Sequence, residues 1–352
     1  MTTHPEFHLD RPGALIAALP AVLGFVPEKS LVLVALEDAG RMGAVMRADL
    51  SDDVSGNVGR LAELAANSGA VRVLAVVVDA DGALCPMCND EHRLLCEALG
   101  EALVGCGVEL HAAHIVDRVE AGGRWHCVDG CGATGPVEDP YASPLAVAAV
   151  LDGRRLYGRR ADLAAVVATA DDERTAALAE VVGACAQSRD SDWLADPNGR
   201  GRRDVEHAMA AAERVAAGSD LTDDEIAELA VALPDVAVRD TLYALAVGAQ
   251  GAAAEALWGF LARVLPDPWR SEALVLLAFS AYARGDGPLA GVSLEAALRC
   301  DPEHRMAGML DTALQSGMRP EQIRELAGTG YQLAKRLGVR LPPRRAFGRR
   351  AV

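Results

Sequence analysis

The chain has 352 residues, half of them apolar and about a quarter charged, which is typical of a soluble protein with two domains. Its net charge of −16 argues against general binding to nucleic acid or to anionic membranes, because phosphate groups would be repelled. The sequence shows no apolar run of the ~18 residues that span a bilayer and no secretory signal. We therefore expect a cytoplasmic protein whose eight cysteines are reduced or bind metal.

The N-terminal part is expected to be organised around a β-hairpin in the stretch 30–50. Its first half, 31–36, is an unbroken run of valine, leucine and alanine, which is typical of a strand buried on both faces. The polar segment 37–41 contains a glycine and predicts the hairpin turn. A second strand is predicted from 42 to about 50.

Hydrophobic periodicity predicts helices and strands on both sides of this hairpin. We expect helices over 13–19, 54–67, 89–104 and 145–151, and strands over 70–79, 108–116 and 124–128. Pro20 is expected to end the first helix, and Asn89 is expected to cap the third. A strand, a helix and a strand in succession predict a right-handed parallel crossover, so this part should contain a mixed α/β sheet.

The C-terminal part is predicted to be entirely helical. The segment 189–203 combines charge with proline and glycine, which is typical of a linker. The predicted organisation is therefore a mixed α/β domain (1–188), a linker (189–203), a helical domain (204–330) and a flexible basic tail (331–352). Within the helical domain, Thr222 and Glu225 match a capping box at the start of a helix.

Two Asp-Pro dipeptides, at 267–268 and 301–302, lie 34 residues apart, and glycines recur at the same spacing. This period resembles the tetratricopeptide repeat, with glycine between paired helices and proline after the second helix. The alignment implies that Ala256 and Ala290 are buried where helices cross. Any antiparallel pair of helical hairpins in an alanine-rich chain is the alternative.

Two close cysteine pairs, Cys85/Cys88 and Cys127/Cys131, are the first pattern that carries chemistry. Both lie near the ends of predicted strands. Two chelating pairs on separate loops commonly supply the four ligands of a tetrahedral zinc site. These four cysteines are therefore the candidate zinc ligands, but the spacing within the second pair and between the pairs departs from common zinc sites, so unligated reduced thiols are the preferred interpretation.

The first pair has a second interpretation. Cys85-Pro86-Met87-Cys88 lies between a strand and a helix start, where backbone N–H groups would stabilise a thiolate as in a thioredoxin-like redox pair. The predicted cap at Asn89 argues against that placement. His92 and His126 are spare ligand candidates, either of which would complete a two-cysteine metal site.

A polar cluster at the strand ends is the remaining candidate site. Arg47 and Asp49 share one face of the second strand, and Glu28 and Ser30 lie at the mouth of its neighbour. Together they predict a binding pocket, and the alternative is an ion pair on a solvated sheet face. The sequence contains neither a phosphate-binding G-x-x-x-x-G-K-[ST] loop nor a G-x-S-x-G nucleophile turn.

Four stretches, RPGALIAALPAVLGFVPEKSLVLVAL, GRMGAVMRADL, GRWHC and SPLAVAAVLDGR, resemble an actinobacterial domain-of-unknown-function family whose members are cytoplasmic. The resemblance covers most of the chain and implies no known activity. It associates the cysteine pair after Trp125 with the family but not Cys85 and Cys88. That difference argues against a four-cysteine zinc site shared by the whole family.

The sequence thus predicts an α/β domain followed by an all-α domain with tetratricopeptide-like helix pairs. The preferred function is non-enzymatic binding or scaffolding of a protein partner, because stacked helix pairs form concave binding surfaces. The alternative is an enzyme whose site lies at the strand ends of the N-terminal sheet, or a zinc- or thiol-dependent redox site at the cysteine pairs.

Overall fold

A computed structural model describes residues 11–36, 42–51, 54–151, 154–169, 171–192 and 197–345. Two compact units emerge, Met1–Asp162 with Gln315–Gly317 and Leu163–Leu314 with Met318–Val352. The first contains a six-stranded mixed sheet and the second is mostly helical, which confirms the predicted fold class. The predicted hairpin turn 37–41 lies outside the described residues. None of the helices described is both long and apolar enough to cross a bilayer.

The strands and helices follow one another in the order that the sequence periodicity indicates for most of the chain. The strands are β1 (Ser30–Leu36), β2 (Met42–Asp49), β3 (Arg72–Val78), β4 (Glu109–Val116), β5 (Arg124–Cys127) and β6 (Thr134–Pro136). The helices are α1 (Pro12–Leu23), α2 (Val58–Asn67), α3 (Pro86–Gly105), α4 (Pro144–Leu151), α5 (Arg160–Ala165), α6 (Asp172–Asp192), α7 (Pro197–Ala216), α8 (Asp223–Ala232), α9 (Val236–Leu242), α10 (Gly251–Val264), α11 (Arg270–Arg284), α12 (Gly287–Cys300), α13 (Arg305–Gln315) and α14 (Pro320–Leu337).

The sheet has the strand order β2-β1-β3-β4-β5-β6. β1 is antiparallel to β2 and to β3, whereas β3 and β4 are parallel and are connected through α3. The predicted hairpin and the predicted parallel crossover are both confirmed. Ser30 pairs with Asp49 on one side and with Val78 on the other, and Val78 pairs with Val116. The first residue of β1 therefore lies at the same end of the sheet as the last residues of β2, β3 and β4.

The central strands are buried on both faces, as the continuous apolar run in β1 predicts. On one face, alternate residues of β1 and β3, including Leu33 and Ala75, pack with Leu61 of α2 and with Leu99 and Leu103 of α3. This packing fixes α3 across the sheet. It also holds the turn that precedes α3 at the end of the sheet where β3 ends.

Helix α1 continues through Pro20, so the prediction that the helix ends there was wrong. Proline inside a helix costs about 3 kcal/mol, because it removes one backbone hydrogen bond and crowds the preceding turn. Here Ile16 and Leu19 are completely buried, and burying such side chains contributes about 1.5–3 kcal/mol each. The helix ends at Gly24, whose N–H donates to the Pro20 carbonyl at 2.8 Å with φ of 76°.

Helix α3 begins three residues before the predicted cap, so the prediction of Asn89 as N-cap was wrong. Cys85 is the N-cap residue and Pro86 takes the first helical position, where the missing N–H has no helical partner to lose. The N–H of Asn89 donates to the Cys85 carbonyl at 2.9 Å, as a residue in the first turn should. Cys85 and Cys88 therefore both belong to the N-terminal turn of a helix.

The predicted capping box is confirmed at the start of α8. The hydroxyl of Thr222 accepts from the N–H of Glu225 at 3.3 Å, and the Glu225 carboxylate accepts from the N–H of Thr222 at 2.8 Å. Arg214 also donates to Glu225, and this contact holds the pKa of that carboxyl down to about 2.

We expect Thr222→Ala to lower the free energy of unfolding by about 1 kcal/mol, because one helix N–H loses its acceptor. Urea denaturation monitored by circular dichroism measures this change. The control is Thr312→Ala, an exposed position within α13, where alanine has the higher helix propensity. Equal stabilities for the two variants would show that the capping box contributes nothing.

The repeated helices α10 and α12 have 14 residues each and are offset by 36 residues rather than by 34. Ala290 is fully buried as predicted, but Ala256 is exposed, so that prediction was wrong. With the offset of 36, Ala254 corresponds to Ala290 and both are fully buried. The Asp-Pro spacing thus misaligned the buried faces by two residues, or about 200° around a helix.

The predicted linker and tail are largely regular structure. Helix α6 runs to Asp192 and α7 begins at Pro197, so within 189–203 only 193–196 lie outside the described residues. Residues 331–337 form the end of α14. Beyond it, the Pro342 carbonyl accepts from the hydroxyl of Tyr331 at 2.9 Å, and the N–H of Arg345 donates to the Val247 carbonyl at 2.8 Å. Residues 331–337 are therefore helical and the segment up to Arg345 makes contacts within the helical unit, whereas 346–352 lie outside the described residues.

Candidate functional site

Charged side chains lie close together at the end of the sheet where β1 begins and β3 ends. Asp79 directly follows β3, and its buried carboxylate accepts from Nε2 of His92 at 3.0 Å. Lys29 directly precedes β1, and its Nζ lies 2.6 Å from Oδ2 of Asp81 and 4.0 Å from Oδ1 of Asp79. The hydrogen bond to Asp81 raises the pKa of Lys29 and lowers the pKa of Asp81. A buried acid, an imidazole and a cation therefore lie close together at this end of the sheet.

The turn between β3 and α3 brings this acid beside the first cysteine pair. The N–H of Ala83 donates to the Asp79 carbonyl at 3.0 Å, and the N–H of Cys85 donates to the Gly82 carbonyl at 2.9 Å. A Cβ on Gly82 would lie 2.2 Å from Oδ2 of Asp79 and 3.1 Å from Cβ of Cys88. Only glycine fits between these two side chains, so the Asp79 carboxylate and Cys88 face each other across it.

Cys85 and Cys88 are both half-buried, and their thiols lie close enough to shift each other's pKa. The backbone N–H of Cys88, and then its thiol, stabilise the Cys85 thiolate and lower the pKa of Cys85. The same thiol contact, together with burial, raises the pKa of Cys88. The two thiols are therefore unequal, and Cys85 is the one that forms a thiolate more readily.

Exposed large apolar side chains lie next to this pair in the sequence and further along α3. Leu84 is 84% exposed and Met87 is 74% exposed, and each is adjacent in sequence to Cys85 or Cys88. Leu94, seven residues after Met87 on α3, is 62% exposed. Seven residues are close to two helical turns, so Met87 and Leu94 lie on one face of the helix. An exposed apolar rim of this kind suits contact with a protein surface.

His92 and His126, the two histidines considered as additional metal ligands, lie near each other. Among the described residues, neither is hydrogen-bonded to a cysteine. His92 is hydrogen-bonded to Asp79. Burial, and then the neighbouring His92, lower the pKa of His126. His92 thus belongs to the acid–imidazole pair behind Cys88.

The second cysteine pair lies in the turn between β5 and β6. Ligand atoms of Cys127, Asp129 and Cys131 all lie within 4.8 Å of one another, and among the described residues no other such group has three or more members. Burial raises the pKa of Cys127 to about 12, and the backbone N–H of Cys131 lowers the pKa of Asp129 to about 2.

The structure therefore brings together the two members of each cysteine pair but not the two pairs. β5 runs antiparallel to β4, and Cys127 lies opposite His114, two residues back from the edge at Val116. Cys85 instead follows the turn at the end of β3. The predicted four-cysteine arrangement requires all four sulfurs around one ion, and this register keeps them apart.

The predicted pocket residues at the start of β1 lie close together and contact one another. Nε of Arg47 donates to the Ser30 hydroxyl at 2.8 Å, and its terminal nitrogen donates to the Asp49 carboxylate. The buried Ser30 donates to the backbone carbonyl of Glu28 at 2.7 Å, so Glu28 takes part through its main chain. The Arg47 guanidinium also lies 5.7 Å from the ring centre of Phe25. These contacts fasten β2 to β1.

A cavity of about 430 Å³ lies in the helical unit and is lined by polar side chains from α9, α11 and the α12–α13 turn. Arg239 lies 3.3 Å from Oε1 of Glu272, and Nε2 of His304 lies 3.3 Å from Oε2 of Glu272 without hydrogen-bonding geometry. Met306 and Met309 form part of the wall, and Met309 is 58% exposed. The cavity thus combines buried charges with an apolar rim.

Sequence reasoning found the cysteines but missed Asp79 and Gly82, for which the only available signal was their position after a strand end. A family model described as a domain of unknown function (DUF4192) matches residues 12–321. No curated protein and no solved structure is significantly similar to the chain. The chemistry of the site must therefore be argued from its own residues.

Proposed function

Because the chain belongs to the family described as a domain of unknown function (DUF4192), we propose an activity from the site itself: thiol–disulfide exchange at Cys85 and Cys88. The observation that carries this proposal is the placement of both thiols in the N-terminal turn of α3, where backbone donors lower the pKa of Cys85. A thiolate is the attacking species in disulfide exchange, and a helix N-terminus is where proteins stabilise one.

The exchange proceeds in two steps. The Cys85 thiolate attacks one sulfur of a substrate disulfide, forms a mixed disulfide and releases the other substrate sulfur as a thiolate, which takes a proton from water. Cys88 then loses its proton and attacks Sγ of Cys85, forming the Cys85–Cys88 disulfide and releasing the second substrate thiol. Two electrons and two protons pass to the substrate, and a separate dithiol reductant restores the pair.

Asp79 is suited to take the proton of Cys88 in the second step. Its carboxylate faces Cys88 across Gly82, and His92 and Lys29 contact the carboxylate from other sides. A general base must lie close to the proton that it removes, and Asp79 is the carboxylate that the Gly82 turn brings towards Cys88. The imidazole and the ammonium hold it in position.

The substrate class follows from the surroundings of the pair. Leu84 and Met87 extend the exposed surface beside Cys85 with apolar groups, which favours a disulfide presented by another protein over a small charged disulfide. We infer a cytoplasmic location, since the pair must be returned to its dithiol form between turnovers. The partner is thus a protein, and the net charge of −16 disfavours nucleic acid.

Trapping experiments test the proposal. The reduced protein is mixed with a disulfide-bonded peptide, and the products are mapped by mass spectrometry without reductant. We expect a Cys85–Cys88 disulfide in the unmodified chain, and a peptide attached to Cys85 in the Cys88→Ser variant. The Cys127→Ser/Cys131→Ser variant should react like the unmodified chain.

Alkylation rates provide a second readout of the same site. Cys85 should react with iodoacetamide at a lower pH than Cys106, an exposed cysteine just after the end of α3. The reason is the lowered pKa of Cys85. Equal pH profiles for Cys85 and Cys106, or a peptide attached to Cys88 instead, would contradict the proposed order of attack.

Binding through the helical unit is a second candidate function, which the cavity beside Glu272 and His304 favours. Tetratricopeptide-like pairing of α10 to α12 would present such a surface to a protein partner. Capture from native lysate with Met309→Glu in parallel tests this role, with Leu326→Glu, another exposed apolar position, as control. A partner that both variants retain would not bind at the cavity.

A further inference from the structure

The turn between β5 and β6 folds back so that three ligand side chains converge. Sulfur atoms of Cys127 and Cys131 and a carboxylate oxygen of Asp129 lie within 4.8 Å of one another. The Asp129 carboxylate accepts from the N–H of Cys131 at 2.9 Å, and this bond holds it over the turn. Two thiol ligands and one carboxylate on a five-residue segment form a chelate that requires little further ordering.

An unpaired imidazole nitrogen lies beside this turn. His114 of β4 is directly opposite Cys127 of β5, and directly opposite residues of antiparallel strands project from the same face of a sheet. The side chain is buried, with a relative exposure of 6%, and its Nδ1 has no hydrogen-bond partner among the described residues. A buried polar atom without a partner is unfavourable, and a metal ion is one group that would satisfy it.

The ring orientation of His114 is fixed from the other side. Its ring contacts the Trp125 indole edge-on, with centroids 5.1 Å apart and the two planes at 68°. Trp125 and Cys127 are two residues apart on the same strand, so both side chains lie on the face that His114 occupies. His114 is not a member of the group within 4.8 Å, but it lies opposite Cys127 on the neighbouring strand and is close enough to Asp129 to interact with it electrostatically, so a turn of the ring would bring it to the ion.

We propose that Cys127, Asp129 and Cys131 bind a zinc ion and that His114 supplies the fourth ligand. Zinc prefers four ligands in a tetrahedron, with Zn–S distances of about 2.3 Å and Zn–N distances of about 2.0–2.1 Å. Two thiolates select zinc over magnesium or calcium, which prefer oxygen ligands. Binding releases the two thiol protons to solvent, so affinity rises with pH.

This zinc site is independent of the redox pair. Cys85 and Cys88 are not members of the ligand cluster, and they lie on the connection between β3 and α3. Each cysteine pair is therefore a matched control for the other. The zinc site joins β4, β5 and β6, whereas the dithiol has its own turn at the start of α3.

Zinc content and cobalt spectroscopy test the proposal on the full untagged chain. Protein prepared without chelators is expected to contain about one zinc per chain by mass spectrometry of the metal, as four ligands around one ion imply. Cys127→Ser/Cys131→Ser should reduce that content to background, whereas Cys85→Ser/Cys88→Ser should leave it unchanged. His114→Gln should retain folding but weaken zinc binding about 10-fold or more.

Cobalt added to the metal-free chain gives a readout that does not depend on whether the cysteine variants fold. We expect absorption bands of tetrahedral cobalt and charge-transfer bands from two thiolates, and a changed visible spectrum in His114→Gln. Zinc lost equally from both double variants, or no cobalt–thiolate band at micromolar metal, would overturn the site. An identical cobalt spectrum and affinity in His114→Gln would overturn the four-ligand assignment.

Discussion

Replacing Arg239 with methionine is expected to lower the free energy of unfolding by about 3–5 kcal/mol, because it leaves a buried carboxylate without its cation. The Arg239 side chain is 14% exposed, and the Glu272 side chain that it contacts at 3.3 Å is 12% exposed. Arg239 also contacts Oδ1 of Asp240 at 3.0 Å. After the substitution, Glu272 keeps His304 as a neighbour at 3.3 Å, but that contact lacks hydrogen-bonding geometry.

Urea denaturation of the unmodified protein and three variants separates the effect of the ion pair from the effect of side-chain packing. The Arg239→Met/Glu272→Gln double variant should recover part of the loss, because the unpaired charge is removed with its partner. Arg202→Met breaks an exposed ion pair with Glu206 and should change stability by no more than about 1 kcal/mol. If Arg239→Met and Arg202→Met shift the urea midpoint equally, pairing with Arg239 does not stabilise the buried Glu272 carboxylate.

Much of the N-terminal unit could be predicted because its signals are local. The continuous apolar run of β1 and the helical spacing of α3 each reflect burial of that element against the sheet. The prediction failed at Pro20 and Asn89, where local propensity competed with other forces. Burial of Ile16 and Leu19 favours a continuous α1 despite its proline, and Pro86 favours a helix start before Asn89.

The candidate sites were harder to predict because they depend on neighbours that are distant in sequence. The spacing of Cys85 and Cys88 shows that the two thiols can meet, but not that Asp79 faces them across Gly82. Likewise, the pairing of His114 with Cys127 follows from strand register, which a single sequence specifies only weakly for short strands. Spacing therefore identified each pair but could not show whether the two pairs share one ion.

The position of α14 against α9 and the residues that follow it depends on a single glycine. A Cβ on Gly330 would lie 2.7 Å from the Asp240 carbonyl oxygen and 2.9 Å from Cβ of Ala244. Both atoms belong to or lie next to the backbone, so neither can move without shifting the helix. A Cβ on Gly328, half a turn earlier in α14, would instead lie 3.0 Å from a terminal nitrogen of Arg344. That nitrogen is the end of a flexible side chain.

Gly330→Ala should therefore destabilise the protein by about 1–3 kcal/mol through overpacking, although alanine is the better helix former. Gly328→Ala should instead stabilise it by about 0.5–1 kcal/mol, since the Arg344 side chain can move aside while the helix gains propensity. The two substitutions change the same helix by the same methyl group, so the difference between their urea midpoints isolates the close approach of the backbones. Stabilisation by both variants would mean that α14 moves away from Asp240 at little cost, and that Gly330 does not fix the position of the helix.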